Sequence, residues 1–88
     1  MKKTKEDLKA EIKRYIQQYT KVNVDNDDRH LLCREYGIPL PNFLYVFREL
    51  DNSFNISIAK VLENRDYSVF TVNNLANAIM QDYTELFQ

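Results

Sequence analysis

The sequence is poor in glycine, proline and cysteine, and it lacks tryptophan. Its 88 residues include one glycine, two prolines and one cysteine. Hairpin-rich β folds usually need more glycine at their turns, so this composition favours helices joined by polar loops. The single cysteine, Cys33, excludes a disulfide within the chain and is typical of a reducing compartment, so we expect a cytoplasmic protein.

Long apolar runs are also missing. No stretch approaches the roughly 18 apolar residues of a membrane span, so we expect no membrane association. The basic start, MKKTKEDLK, is followed by no apolar segment and is not typical of a secretory signal. A content of 44% hydrophobic and 28% charged residues predicts one globular domain over residues 1–88, with a small core.

The net charge of −1 is unevenly distributed along the chain. Residues 1–21 carry seven basic and three acidic side chains, whereas residues 22–88 carry five basic and ten acidic ones. Such an asymmetry steers charged partners. The simpler interpretation, which we prefer, is a basic helix face exposed to water.

The first half of the chain predicts one helix and a long connection. Thr4 and Asp7 have the spacing of a capping box, at the start of a helix over residues 5–19. In residues 20–37, which form the connection, we expect Leu31 and Leu32 to lie under the bundle as anchors. The first helix has an apolar stripe of Leu8, Ile12, Tyr15, Ile16 and Tyr19, opposite Lys9, Lys13, Arg14 and Gln17.

The second half predicts three further helices. One begins at Pro41, because proline suits the first turn of a helix, and the residue before it is expected to be extended. A short third helix follows near residues 59–64, and Thr71 is the expected N-cap of the fourth. The second helix buries Phe43, Phe47, Leu50 and Phe54, with Leu44 and Val46 at the stripe's edges. The fourth has Val72, Leu75, Ile79, Met80, Tyr83 and Leu86 on one face.

These segments predict an all-α protein. Each helix has one apolar face, and four such helices around one core make a small four-helix bundle. Three helices are long, the third is short, and a long loop joins the first to the second.

His30 and Cys33 are the residues closest to a metal or nucleophile motif. A structural zinc site normally needs four ligands, and more cysteine or histidine than this chain has. A nucleophilic Cys33 needs a base beside it, and His30 is the only histidine. We therefore expect no metal, no catalytic residue and no enzymatic activity.

The order and spacing of these segments resemble the acyl and peptidyl carrier protein family. The segment EDLKAEIKRYIQQY is similar to the family's first helix, and FTVNNLANAI is similar to the opening of its last helix. Between them, EYGIPLPNFLYVFRELDNSFNISI is similar to the loop and second helix. The resemblance covers almost the whole chain and implies a bundle of acyl-carrier-protein type.

The resemblance fails at one decisive position. In carrier proteins a serine at the start of the second helix bears a phosphopantetheine arm, and Leu40 occupies that position here. Leu40 has no hydroxyl group, so the resemblance implies a relative without this cofactor. Pro39 and Pro41 also replace the family's usual neighbours, the first helix is unusually basic, and the second presents fewer carboxylates.

The resemblance implies a non-catalytic interaction module, monomeric, that docks on a biosynthetic or peptide-maturation enzyme. One alternative is a working carrier loaded at Ser53, Ser57 or Ser68. A less favoured one is a small nucleic-acid-binding regulator, which needs a basic stripe that only the first helix offers. Leu40 either joins an exposed apolar patch or folds inward onto the core, the orientation that we prefer. The predicted partner-binding residues are Leu40, Asn42, Phe43, Tyr45, Arg48 and Glu49.

Overall fold

A computed structural model describes residues 3–87; Met1, Lys2 and Gln88 lie outside the described residues. The α-helices of this part of the chain are α1 (Lys5–Thr20), α2 (Leu40–Phe54), α3 (Ile58–Glu63) and α4 (Val72–Asp82). Two 3₁₀ turns follow, at Tyr67–Val69 after α3 and at Thr84–Leu86 after α4. Over residues 3–87 there is no β-strand, only a single-residue bridge, so the predicted all-α class is confirmed.

Helix α1 begins as its local sequence predicts and ends one residue later than predicted. The Thr4 hydroxyl accepts the Asp7 N–H at 3.2 Å, and the Asp7 carboxylate accepts the Thr4 N–H at 3.1 Å, which completes the capping box. Its last residue is Thr20, and the C-cap residue Lys21 has a left-handed backbone with a φ of 64°, which ends the helix. The apolar stripe is buried as expected, although Tyr19 is only half-buried.

Helix α2 begins at Leu40, one residue before the predicted start. Pro39 is the N-cap residue, with an extended backbone at φ −64° and ψ 138°. The Asn42 N–H donates to the Pro39 carbonyl at 3.0 Å, which places Leu40 in the first turn. The prediction of an extended Leu40 is therefore wrong. Pro41 is tolerated there because the first-turn N–H groups have no partner within a helix.

The buried stripe of α2 is narrower than predicted. Phe43, Val46 and Leu50 are almost wholly buried, whereas Phe47 is half-buried and contacts the Phe70 ring at a centroid distance of 6.1 Å. Leu44 is exposed, so its assignment to the buried stripe is wrong. The other helices cover only one side of α2, and the side chain at position 44 lies on the uncovered side.

Helices α3 and α4 begin at hydroxyl caps. The Ser57 hydroxyl accepts the Lys60 N–H at the start of α3, one residue earlier than predicted, and the Thr71 hydroxyl accepts the Asn74 N–H at 2.9 Å. Helix α4 ends at Asp82, so the prediction that Tyr83 and Leu86 lie on its face is wrong. The chain turns there, and the Tyr83 hydroxyl accepts the Ser57 N–H at 2.9 Å.

The core lies where α1 packs against α2 and α4, and α3 packs between α2 and α4. The long connection is fixed to this core, because Leu31 is fully buried and its N–H donates to the Phe70 carbonyl at 2.7 Å. The radius of gyration is 12.1 Å, close to the roughly 12 Å of a compact chain of this length. Within residues 3–87, the helices are too short or too polar to cross a bilayer.

Candidate partner-binding surface

Three large hydrophobic side chains are exposed together on the first two turns of α2. Leu40, Leu44 and Tyr45 have 60%, 67% and 58% of their surface exposed, and we call them the N-terminal patch. Tyr67 is the one other exposed large hydrophobic residue in the part of the chain that the structure describes. Single exposed hydrophobic residues are common, but a group on one short surface is typical of a binding site.

The helical period places a charged residue on the same face of α2 as the N-terminal patch. Leu40, Leu44 and Arg48 are four residues apart and therefore lie on one face of α2. Arg48 is exposed and makes no ion pair with any residue between 3 and 87. The outward orientation of Leu40 contradicts the inward one that we preferred from the sequence. Leu40 lies on the outer side of the first turn of α2, whereas Phe43 in the same turn is fully buried.

Tyr45 is held in place by the end of α1. Its ring is stacked on that of Tyr19, with centroids 5.9 Å apart and planes at 14°. The Tyr19 hydroxyl donates to the Glu49 carboxylate at 2.9 Å, and this hydrogen bond is the main cause that raises the pKa of Tyr19. Glu49 therefore positions Tyr19, and through it the exposed ring of Tyr45.

The other predicted partner-binding residues have internal roles. Asn42 is half-buried and its amide donates to the Tyr19 carbonyl at 3.3 Å, which satisfies an orphan carbonyl at the end of α1. Phe43 is fully buried, so its assignment to a partner-binding surface is wrong. It lies on the core side of α2 and packs against Phe47 and Phe70.

The three serines considered as alternative attachment sites make hydrogen bonds within the fold. The Ser53 hydroxyl hydrogen-bonds the Tyr15 hydroxyl, Ser57 caps α3, and the Ser68 hydroxyl donates to Asp66 at 2.5 Å. The hydrogen bond from the Ser68 hydroxyl, together with one from the Ser68 N–H, lowers the pKa of Asp66. None of the three lies at the start of α2, where the resemblance places the modified serine.

His30 joins the long connection to the first 3₁₀ turn. Its Nδ1 accepts the Leu32 N–H at 3.1 Å, so Nε2 carries the proton that is donated to the Tyr67 carbonyl at 2.9 Å. The imidazole also stacks on the Tyr67 ring at 4.0 Å. Both ring nitrogens are thus occupied, which leaves Cys33 without a base from this residue. Among residues 3–87, no three metal-binding side chains come together.

The basic face of α1 is not simply exposed to water, contrary to our preferred interpretation. The Asp27 carboxylate lies 2.7 Å from the Lys9 ammonium and 3.0 Å from that of Lys13. The hydrogen bond from Lys9 is the main cause that lowers the pKa of Asp27, and the same contact raises the pKa of Lys9. Asp27 thus neutralises part of the only basic stripe that the nucleic-acid alternative offered.

A polar groove, not expected from the sequence, lies between α4 and the segment after α3. It has a volume of about 450 Å³. The Arg65 guanidinium beside it makes two bonds of 3.0 Å to Asp82 and one of 2.6 Å to the Val61 carbonyl. These bonds fix α3 to α4, so the geometry accounts for Arg65 as a structural residue. The lining residues are Asn64, Arg65, Asp66, Ser68, Val69, Asn74, Asn77, Ala78 and Gln81.

No family model, no curated protein and no solved structure matches the chain. The resemblance to carrier proteins therefore stays a prediction from the residues, and the site is defined by its own geometry.

Proposed function

We propose that this domain is a non-catalytic protein-interaction module with a bundle of acyl-carrier-protein type and no phosphopantetheine attachment site. The N-terminal patch docks on a protein partner, in the setting of a biosynthetic or peptide-maturation enzyme. Leu40 lies at the position where a carrier protein has its modified serine. The observation that carries this proposal is the concentration of exposed apolar surface on the first two turns of α2.

The order and packing of the helices support the carrier-type bundle. A long α1, a long connection over residues 21–39, an amphipathic α2, a short α3 and a final α4 follow one another in the order that the resemblance implies. The interval between α2 and α4 is a few residues longer than is usual in carrier proteins, and it contains the 3₁₀ turn at Tyr67–Val69.

The exposure and fixation of the patch support docking. An exposed leucine costs free energy in water, and burying it against a partner recovers roughly 2 kcal/mol. The stacking of Tyr45 on Tyr19 fixes one side of the patch before binding, which reduces the entropy lost on association.

Intact-protein mass spectrometry tests the absence of carrier chemistry. The wild type and Leu40→Ser are incubated with coenzyme A and a broad-specificity phosphopantetheinyl transferase. We expect the wild type to keep its mass and Leu40→Ser to gain one arm. An added mass on the wild type would instead support the alternative of a carrier loaded at an atypical residue.

Site-specific photocrosslinking in cells tests the docking surface. Leu44→p-benzoylphenylalanine reports on the patch, and Lys60→p-benzoylphenylalanine, exposed on α3, is the matched control. We expect one protein to crosslink from position 44 and not from position 60. The purified partner should then bind the wild type and lose affinity for Leu44→Asp by about tenfold or more. Equal binding of both proteins would rule out the patch as the interface.

A further inference from the structure

The charges around the N-terminal patch are predominantly positive. Arg48 lies one helical turn after Leu44 on the same face, and its charge is close enough to Tyr19 to affect the pKa of that phenol. Lys21 is exposed two residues after Tyr19, whose ring lies against Tyr45. Neither cation makes an ion pair within the described range 3–87. Arg48 therefore adds an unpaired positive charge to the face of the patch, and Lys21 adds a second at the adjacent end of α1.

The carboxylates near the patch offer little compensation. The first turn of α2 contains no acidic residue. Glu49 is half-buried, accepts the Tyr19 hydroxyl and is a single carboxylate beside the two cations. Asp51 lies near the other end of α2, where it accepts the Ile58 N–H at 2.8 Å. In the connection, the exposed charges of Arg34 and Glu35 are adjacent and oppose each other.

We propose that the segment that covers the N-terminal patch is an acidic amphipathic peptide of the partner. Its apolar side chains pack on Leu40, Leu44 and Tyr45, and its carboxylates pair with Arg48 and Lys21. This inference rests on the proposed function and specifies the chemistry of the partner. Arginine pairs with carboxylates through a planar fork of donors, which gives such a contact orientation as well as attraction.

Two other occupants fit the patch less well. In a two-fold dimer the same surface meets itself, so the interface would collect Arg48 and Lys21 from both copies and only the half-buried Glu49 carboxylates to oppose them. Anionic membranes are bound by clusters of about four to eight basic residues, and only two cations flank this patch. An acidic amphipathic peptide matches the patch better, because its apolar side chains cover the exposed hydrophobic residues and its carboxylates pair with the two cations.

Selection from a random 16-residue peptide library displayed on phage tests the inference without choosing a sequence in advance. The 88-residue chain is the bait, and peptides that also bind Leu44→Asp are removed because they bind elsewhere on the domain. Leu44 is exposed, so this variant should keep the wild-type circular dichroism and melting temperature. Leu40→Asp provides a second patch variant. We expect the Leu44-dependent peptides to be rich in Asp and Glu with leucine or aromatic anchors.

Fluorescence anisotropy with a selected peptide tests the role of the cations. Arg48→Glu should weaken binding about fivefold or more, and salt should weaken binding to the wild type. Lys60→Glu is the matched control, because Lys60 is exposed on α3, which follows the other end of α2. It should change the affinity by less than about twofold.

The outcomes separate this inference from the proposed function. Leu44-dependent peptides that are neutral or basic would overturn the acidic partner and leave the docking surface intact. An absence of Leu44-dependent peptides would overturn both. Phosphatidylserine vesicles that bind the wild type but not Leu44→Asp would identify a membrane as the occupant. A dimer that Leu44→Asp dissociates in sedimentation would identify a second copy, and either result overturns the peptide.

Discussion

Phe43 and Leu44 are consecutive residues of α2 with opposite environments: Phe43 is fully buried, and Leu44 has 67% of its surface exposed. One residue along a helix rotates the side chain by about 100°. This rotation is enough to move from the face against Phe70 to the face in water. The boundary between the core and the proposed docking surface therefore runs between these two positions.

Alanine substitutions at the two positions should separate stability from binding. Phe43→Ala leaves a cavity in the core and should lower the free energy of unfolding by about 3–5 kcal/mol. Leu44→Ala removes only exposed surface and should change it by less than about 0.5 kcal/mol. Urea denaturation followed by circular dichroism measures both. Similar losses for the two variants would show that Leu44 belongs to the core.

The Asp27 contacts with Lys9 and Lys13 predict a pH-dependent contribution to stability. The hydrogen bond from Lys9 lowers the pKa of Asp27, so the unfolded state binds a proton more readily than the folded state. The stabilisation is fully present above about pH 4, the usual range of an Asp side chain, and is lost as the pH falls through the folded-state pKa. Asp27→Asn should therefore destabilise the protein near neutral pH and much less in acid.

Urea midpoints of the wild type and Asp27→Asn, measured between about pH 7 and pH 2, check this prediction. Asp7, whose pKa is lowered mainly by the Thr4 N–H, and Asp66 also lose stabilisation in acid, but in both proteins alike. Only the difference between the two midpoints reports on Asp27. A difference that stays constant over this range would show that the ion pairs do not contribute.

His30 should stabilise the long connection through its two hydrogen bonds. His30→Phe keeps a ring that stacks on Tyr67 but removes both bonds, which should cost about 1–2 kcal/mol. The Leu32 N–H should also exchange faster with solvent hydrogen, because it loses its acceptor. Tyr67→Phe keeps the ring and the backbone carbonyl, so it is the matched control. Unchanged exchange at Leu32 in His30→Phe would contradict the bond.

The Thr71 hydroxyl should anchor the start of α4. Thr71→Ala removes the acceptor of the Asn74 N–H and should cost about 1 kcal/mol, whereas Thr71→Ser keeps it. For a domain of this size, that loss lowers the melting temperature by roughly 4–8 °C. Thermal denaturation by circular dichroism gives the comparison. If serine is as destabilising as alanine, the cost comes from lost packing of the buried threonine and not from the cap.

The helices could be predicted because their signals are local. The capping box of Thr4 and Asp7, the Thr71 cap and the apolar stripe of α1 depend on residues three or four positions apart, and a helix brings such residues together. One local prediction failed at the start of α2. Leu40 adopts the helix despite the following proline, because Pro39 supplies the extended cap residue.

The candidate site was only partly predictable. The resemblance to carrier proteins directed attention to the start of α2, and Leu40, Tyr45 and Arg48 are exposed there. The resemblance did not indicate that Phe43 is buried and Leu44 is exposed. Both residues are apolar, and an apolar stripe alone does not predict how far the neighbouring helices extend along α2. Arg65 was missed because its partner Asp82 is 17 residues away.

The sequence by itself determined an all-α chain, because amphipathic periods and cap residues act within one or two turns. The tertiary structure decided which apolar side chains remain outside. It placed Asp27 between Lys9 and Lys13, joined His30 to Tyr67, and stacked Tyr19 on Tyr45. These contacts join residues 14 to 37 positions apart. Their formation depends on the packing of whole helices, which bury one face of α2 and leave the N-terminal patch exposed.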